Sequence, residues 1–289
     1  MSAYYGLIVA VFAVSWSSIF IRFCDLTPPL VISFYRLFWS GLILTIYQIK
    51  VNPSALKFTN LSLKSKTFIL FAGIILAFHF VTWIASVQLT LIANATILGS
   101  IHPVFALILS PLLLKEKGNW LSFMAALITL TGILLIGIQD VHIEKSKFSG
   151  DFLAVLAAFF VTIYILIARH QRTHIDLIPY LIAVYTSAAL TLFLLILLLD
   201  YPLNYPLKIH GMMFLLALVP TCIGHSLINW AARKIEAFKV NFFILGEPII
   251  ASFLAYFYFR EKPLGIFYLG AVLVFTGIFL ASIKYSSTR

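Results

Sequence analysis

Glu247 sits in the string "FILGEPII", Phe243 to Ile250, with a proline directly after it and almost no other charge nearby. Placing an ionised carboxylate at the centre of a bilayer costs about 3 kcal/mol on insertion scales. Such an acid must face a wet cavity, pair with a cation or stay protonated. Pro248 has no N–H, so the Ile244 carbonyl loses its helical partner, and Pro103 does the same to Gly99. Freed carbonyls at membrane depth are tolerated where they line a cavity. The Gly-Glu-Pro string therefore reads as a helix break with an acid beside it, against two plainer alternatives: a packing kink at Pro248 and a structural ion pair at Glu247.

Three histidines fall near the same depth. At about 1.5 Å of rise per residue, Glu247 lies ~14 Å into its apolar run. His79, His102 and His225 reach a similar level in three other runs. Glu247 and His102 are the candidates for proton coupling, and Pro103 and Pro248 are the expected helix breaks. Helical spacing adds Trp83 and Ser86 to the face of His79, Asn229 to that of His225, and Asn94 and Leu98 to that of His102. Arg36 lies about 12 Å below the surface, too deep to snorkel. It is expected to pair with a carboxylate or with carbonyls, stabilising the bundle rather than holding a ligand carboxylate. Trp16 (beside Ser17 and Ser18), Tyr35 and Tyr185 complete the candidate substrate-binding set of His79, Trp83, His102, His225, Asn229, Glu247 and Arg36. Each lone histidine has a plain alternative, a hydrogen bond to a neighbouring backbone. Glu116 and Glu261 lie beside lysines and read as interfacial ion pairs or turn anchors.

These side chains need apolar elements to carry them. Of the 289 residues, 62% are hydrophobic and 10% charged, whereas a soluble domain carries about 25% charged residues. A globule of this size could not be covered with polar surface, so the solvent is lipid. Ten runs are long enough to cross: 4–23, 29–49, 67–88, 92–114, 118–138, 151–169, 178–199, 211–232, 238–259 and 264–284. The first has no basic residue before it and no clear small-x-small cleavage site, which reads as a retained helix and not a signal peptide. Thirteen Lys and Arg residues fall in loops on the side shared by both termini and six on the other, which places both termini in the cytoplasm. The net charge of +10 is spread over short loops and forms no stripe on a polar domain, so nucleic acid is not an expected partner. Cys24 and Cys222 show no pairing or zinc spacing.

The chain also repeats itself. Pro103 aligns with Pro248, Glu116-Lys117 with Glu261-Lys262, and Thr131-Gly132 with Thr276-Gly277, all 145 residues apart without a gap. His79 and His225 pair at 146, and His102 takes the place of Glu247. Two copies of a five-helix unit, 1–142 and 143–289, follow. Five is odd, so the second copy enters the membrane inverted, and inverted halves can exchange conformations as transporters do. The fold expected is an all-α integral membrane protein of ten transmembrane helices around a central cavity.

The strings "HFVTWIASVQLTLIANATILGSIHPVFALILSPLLLKEK" and "GHSLINWAARKIEAFKVNFFILGEPIIASFLAYFYFREK" resemble the third and fourth, and the eighth and ninth, helices of the EamA-type drug/metabolite transporters. The likeness covers the whole chain and rests on the order and spacing of the motifs. It implies a multi-pass inner-membrane carrier of small metabolites with a central cavity. The function expected is secondary transport, as export, of small polar metabolites such as amino acids, proton-coupled by alternating access. The partners expected are the metabolite, protons and membrane lipids, with the chain as monomer or homodimer; no cofactor is expected. No G-x-x-x-x-G-K-[ST] string is present, which disfavours direct use of ATP. One alternative is an exporter of lipophilic cations, for which Trp16, Trp83 and Trp230 with the acid would be suited. The other is an intramembrane metal-dependent enzyme. It is disfavoured because the histidines come from separate runs without an i, i+4 pair, and no catalytic or metal set is assigned.

Overall fold

The computed structural model describes residues 3–24, 26–56, 62–114, 120–139, 147–171, 175–232, 234, 240 and 243–287. Among them every regular element is helical. They run α1 (Ala3–Phe23), α2 (Pro29–Val51), α3 (Leu63–Leu89), α4 (Ile92–Gly99), α5 (His102–Leu114), α6 (Trp120–Gln139), α7 (Phe148–Gln171), α8 (Leu177–Leu198), α9 (Leu207–Leu216), a π-helical segment (Ala217–His225), α10 (Ser226–Ala232), α11 (Gly246–Phe259) and α12 (Gly265–Ser287). A short 3₁₀ turn, Pro53–Leu56, follows α2.

Seven stretches of the described chain are long and apolar enough to span a bilayer, among them Ile92–Leu109 across the α4–α5 break and Leu207–Ala231 across the π segment. Phe123–Ile136 and Gly265–Leu280 are shorter apolar helices. The ninth expected run, 238–259, is described as a helix only from Gly246, although Val240, Phe243 and Ile244 are also helical.

The ends of the helices follow local chemistry. Pro29 opens α2, where its missing N–H has no helical partner to lose. Ser62 caps α3 by accepting a hydrogen bond from the Ser65 N–H at 3.1 Å. α11 closes on Arg260, whose φ of 57° turns the chain sharply before Glu261. The π segment contains Pro220, which has no N–H to give to the helical ladder, and Thr221 Oγ1 donates back to the Leu216 carbonyl at 2.9 Å.

Packing joins the two parts of the chain closely. α3 lies against α7 and α8, α2 against α8, and α1 against the π segment, α10 and α11. The longest seam is between α6 and α12. A side chain on Gly132 would sit 2.7 Å from the Gly270 carbonyl and 2.9 Å from the Val274 N–H, and one on Gly277 would overlap Thr129. Small residues let these backbones touch, which is how helices associate where lipid is as apolar as leucine. The prediction for Gly132→Ala is direct. The obstructing atoms are backbone and cannot rotate away, so the helices must part, at a cost of about 1–3 kcal/mol. Thermal unfolding in detergent should show a lower midpoint, and an unchanged midpoint would refute the contact.

Two clusters mark the ends of the bundle. At the end where α1 begins, the near end, Leu7 packs with Ala231 and Val240. At the opposite, far end, Ile21, Cys24, Ile32, Val87, Ile92 and Leu254 form a buried cluster.

Candidate functional site

A cavity of about 240 Å³ lies inside the bundle. Trp83 of α3, in its wall, lies against Gly99, where an added side chain would meet the indole at 2.5 Å. From Trp83 and Thr96 the lining continues past the polar centre to Ala168 and Leu177, close to the near end.

The α4–α5 break shapes one side. The helix stops at Gly99 and restarts at His102, with Pro103 in the first turn of the new helix. Ser100 folds back, its hydroxyl donating to the Thr96 carbonyl at 2.7 Å, and Thr162 of α7 donates to the His102 carbonyl at 3.1 Å. Gly99, whose carbonyl Pro103 was expected to free, lines the cavity beside His102. The second break precedes α11, leaving Glu247 in the first turn of that helix with Pro248 next to it. Ser15 Oγ donates to the Glu247 main-chain carbonyl at 3.3 Å.

Eight of the ten residues expected at the site line this cavity: His79, Trp83, His102, His225, Asn229, Glu247, Tyr185 and Arg36. His79 Nδ1 lies 2.9 Å from the Ala157 carbonyl. A carbonyl only accepts, so Nδ1 carries the proton and Nε2 is left as an acceptor. Asn229 Nδ2 donates to the His225 carbonyl at 2.8 Å. No hydrogen bond or ion pair joins Glu247 to His102 among the described residues, although both face the same space.

Arg36 departs from its expected pairing. It is 1% exposed, yet its partners are neither carboxylates nor carbonyls. Nε donates to Thr221 Oγ1 at 2.9 Å, Nη1 donates to Ser17 Oγ at 3.0 Å, and the Phe80 ring lies 4.3 Å below the guanidinium. The π segment therefore has a local purpose: it presents Thr221 to the buried cation.

Two expected residues fall elsewhere. Trp16 stacks on Phe20 and meets the edge of Tyr258, on the outside of the α1–α11 pair. Tyr35 points to the far end, where its hydroxyl donates to the Leu203 carbonyl at 2.9 Å and its ring stands edge-on to His210. Trp230 is likewise not in the wall and lies under Lys234 Nζ at 4.3 Å. Ser86 is buried, its hydroxyl without a hydrogen-bond partner among the described residues, and Asn94 is not in the cavity lining, the break after Gly99 interrupting the helical face it shares with His102.

A polar cluster gathers at the far end, in which Glu261 forms the ion pair expected of it, while Arg22, Thr90 and Asp151 were not singled out from sequence. Arg22 Nη1 pairs with Glu261 Oε1 at 2.9 Å, and Nη2 donates to the Thr90 carbonyl at 2.7 Å. Glu261 Oε2 accepts the Ile92 N–H at 2.8 Å. Thr90 Oγ1 donates to Asp151 Oδ1 at 2.6 Å, and Asn94 Nδ2 donates to both Asp151 oxygens at 3.2 and 3.3 Å. Glu261 thus partners Arg22 of α1 and not the adjacent lysine. The acid of Asp151 in the first turn of α7 was the available signal. Glu116 lies outside the described residues.

A sequence profile of the EamA-like transporter family matches residues 1–138 and 148–283. An uncharacterized transporter of Synechocystis sp. is 28% identical over 218 residues, 71% of this chain and 61% of that protein. The uncharacterized transporter YoaV of Bacillus subtilis is 24% identical over 196 residues, 65% of each chain. The matched stretch thus spans less than two thirds of either relative. An uncharacterized transporter of Helicobacter pylori is 32% identical over 85 residues. A solved crystal structure superposes with a TM-score of 0.68 at 16% identity, covering 100% of this chain and 99% of its own, a likeness of fold.

Proposed function

The chain belongs to the EamA-like transporter family and is a multi-pass membrane transporter, not an enzyme; from that premise we propose that it is a secondary carrier exporting small polar metabolites such as amino acids. Ten crossings arranged as two inverted five-helix units, 1–142 and 143–289, would alternate access across the inner membrane with both termini in the cytoplasm. Glu247, with His102 in the same wall, would exchange the proton. His79, Trp83, His225, Asn229 and Tyr185 would contact the substrate. The breaks at Pro103 and Pro248 would supply the carbonyls, and lipids would surround the bundle as monomer or homodimer.

One observation carries this reading: one cavity gathers an acid, three histidines and an arginine in its lining. The far end is tied by the Arg22–Glu261 pair and the Asp151 cluster. That arrangement supports an occlusion closed on the outside and directed inward. The alternative of a lipophilic-cation exporter is disfavoured, because of Trp16, Trp83 and Trp230 only Trp83 reaches the wall and a buried guanidinium lines the same cavity as the acid. Purified protein in liposomes with an imposed pH gradient, offered radiolabelled amino acids beside cationic dyes, tests the reading. Gradient-driven movement of amino acids is expected, and movement of the dyes alone would reverse the choice.

A further inference from the structure

We propose that Arg36 is the anion subsite of this carrier, holding the carboxylate of a zwitterionic substrate whose ammonium group is turned toward Glu247. The proposal rests on the transporter reading above and names its substrate class. A guanidinium offers five N–H donors in a fixed planar fork that fits a carboxylate at two points. Thr221 and Ser17 take one donor each from Nε and Nη1, and Nη2 has no hydrogen-bond partner among the described residues. Both partners are neutral. They and the Phe80 ring soften the burial of the charge without cancelling it. No acid among the described residues forms an ion pair with Arg36.

A cation at this depth is costly without an anion. The chain can build a direct pair where one is wanted, as Arg22 and Glu261 show at 2.9 Å. In the cavity it does the opposite. Arg36 and Glu247 line the same chamber without touching, so each charge is left for a third party. A ligand with both charges satisfies the two walls at once. A simple cation would be repelled by Arg36, and a neutral sugar would leave both charges unmatched. The aromatic residues Trp83 and Tyr185, which also line the chamber, are left for the substrate's side chain.

The test is thermal unfolding of the purified full chain in detergent with leucine, threonine and phenylalanine. Each is compared with its amide, which lacks the carboxylate, and with its N-acetyl form, which lacks the ammonium. At least one free amino acid should raise the midpoint progressively with the logarithm of its concentration above Kd, with both analogues needing at least tenfold more for the same shift. Arg36→Lys keeps the charge but loses the fork and should weaken that protection about tenfold, and Arg36→Gln should remove it. An amide that protects as well as its acid, or no protection by any free acid, overturns the assignment. The analogue series uses unaltered protein and decides the matter even where an Arg36 variant does not fold. Proteoliposomes separate the two readings. Transport of a neutral or cationic metabolite with the amino acids ignored removes the role of Arg36 and leaves a transporter; acid-selective binding without transport keeps the subsite and removes the transport reading.

Discussion

Glu247→Gln should abolish pH-gradient-driven flux in proteoliposomes while the protein still inserts and unfolds near the wild-type midpoint. Glutamine keeps the size and hydrogen-bonding reach of the acid and removes only the titratable proton. No hydrogen bond or ion pair to the carboxylate is found among the described residues, so no structural partner is orphaned. The main-chain contact from Ser15 and the start of α11 at Gly246 do not depend on the side chain. Loss of coupling with fold retained is therefore the expected split. Counterflow, in which labelled and unlabelled substrate exchange without a net proton, should fall less than gradient-driven flux, because binding loses one charge contact whereas coupling loses its carrier. The idea is falsified if gradient-driven flux persists at the wild-type rate. A drop in both activities together with a large fall in midpoint would instead make Glu247 a structural residue.

Charge in an apolar chain is conspicuous, which is why the acid, the histidines and Arg36 could be read from sequence and why counting depth brought them to one chamber. Packing direction is not conspicuous. Trp16 and Tyr35 have the right depth or the right repeat position but project from faces that turn toward Tyr258 and Leu203. Asn94 shares the face of His102 only if the helix is continuous, and the turn at Ser100 and Ile101 interrupts that face. Thr96, Ser100 and Thr221 carried no signal, since a hydroxyl in a helix satisfies itself on the preceding turn whether or not a cavity lies beyond it. The π segment is harder still to foresee, because one widened turn changes which residue faces inward without any change in composition. Pro220 marks where the ladder lacks a donor, but not that Thr221 would be delivered to Arg36.

The far end offers the other large effect. Glu261→Gln should expose Cys24, which is 1% accessible in the closed cluster beside Ile21 and Val87. Glu261 ties three elements: Arg22 at the end of α1, the Ile92 N–H at the start of α4, and its own turn after Arg260. Ion pairs on open surface are worth little, but this carboxylate is 9% exposed and both its oxygens are bonded. Hydrogen bonds to charged groups contribute about 1.5–3 kcal/mol each. Losing the charge therefore moves the balance between closed and open ends by at least about 1.4 kcal/mol, a factor of about ten. With Cys222 changed to Ala, leaving one thiol, maleimide labelling of Cys24 should accelerate about tenfold in Glu261→Gln. Arg22→Gln should reproduce the effect, and the double variant should add little, because both remove the same bond. Strictly additive acceleration would mean that the two side chains act on separate contacts. Unchanged labelling would mean that the Asp151–Thr90–Asn94 cluster closes this end by itself, and substitution of Asp151 by Asn would then be the variant that opens it.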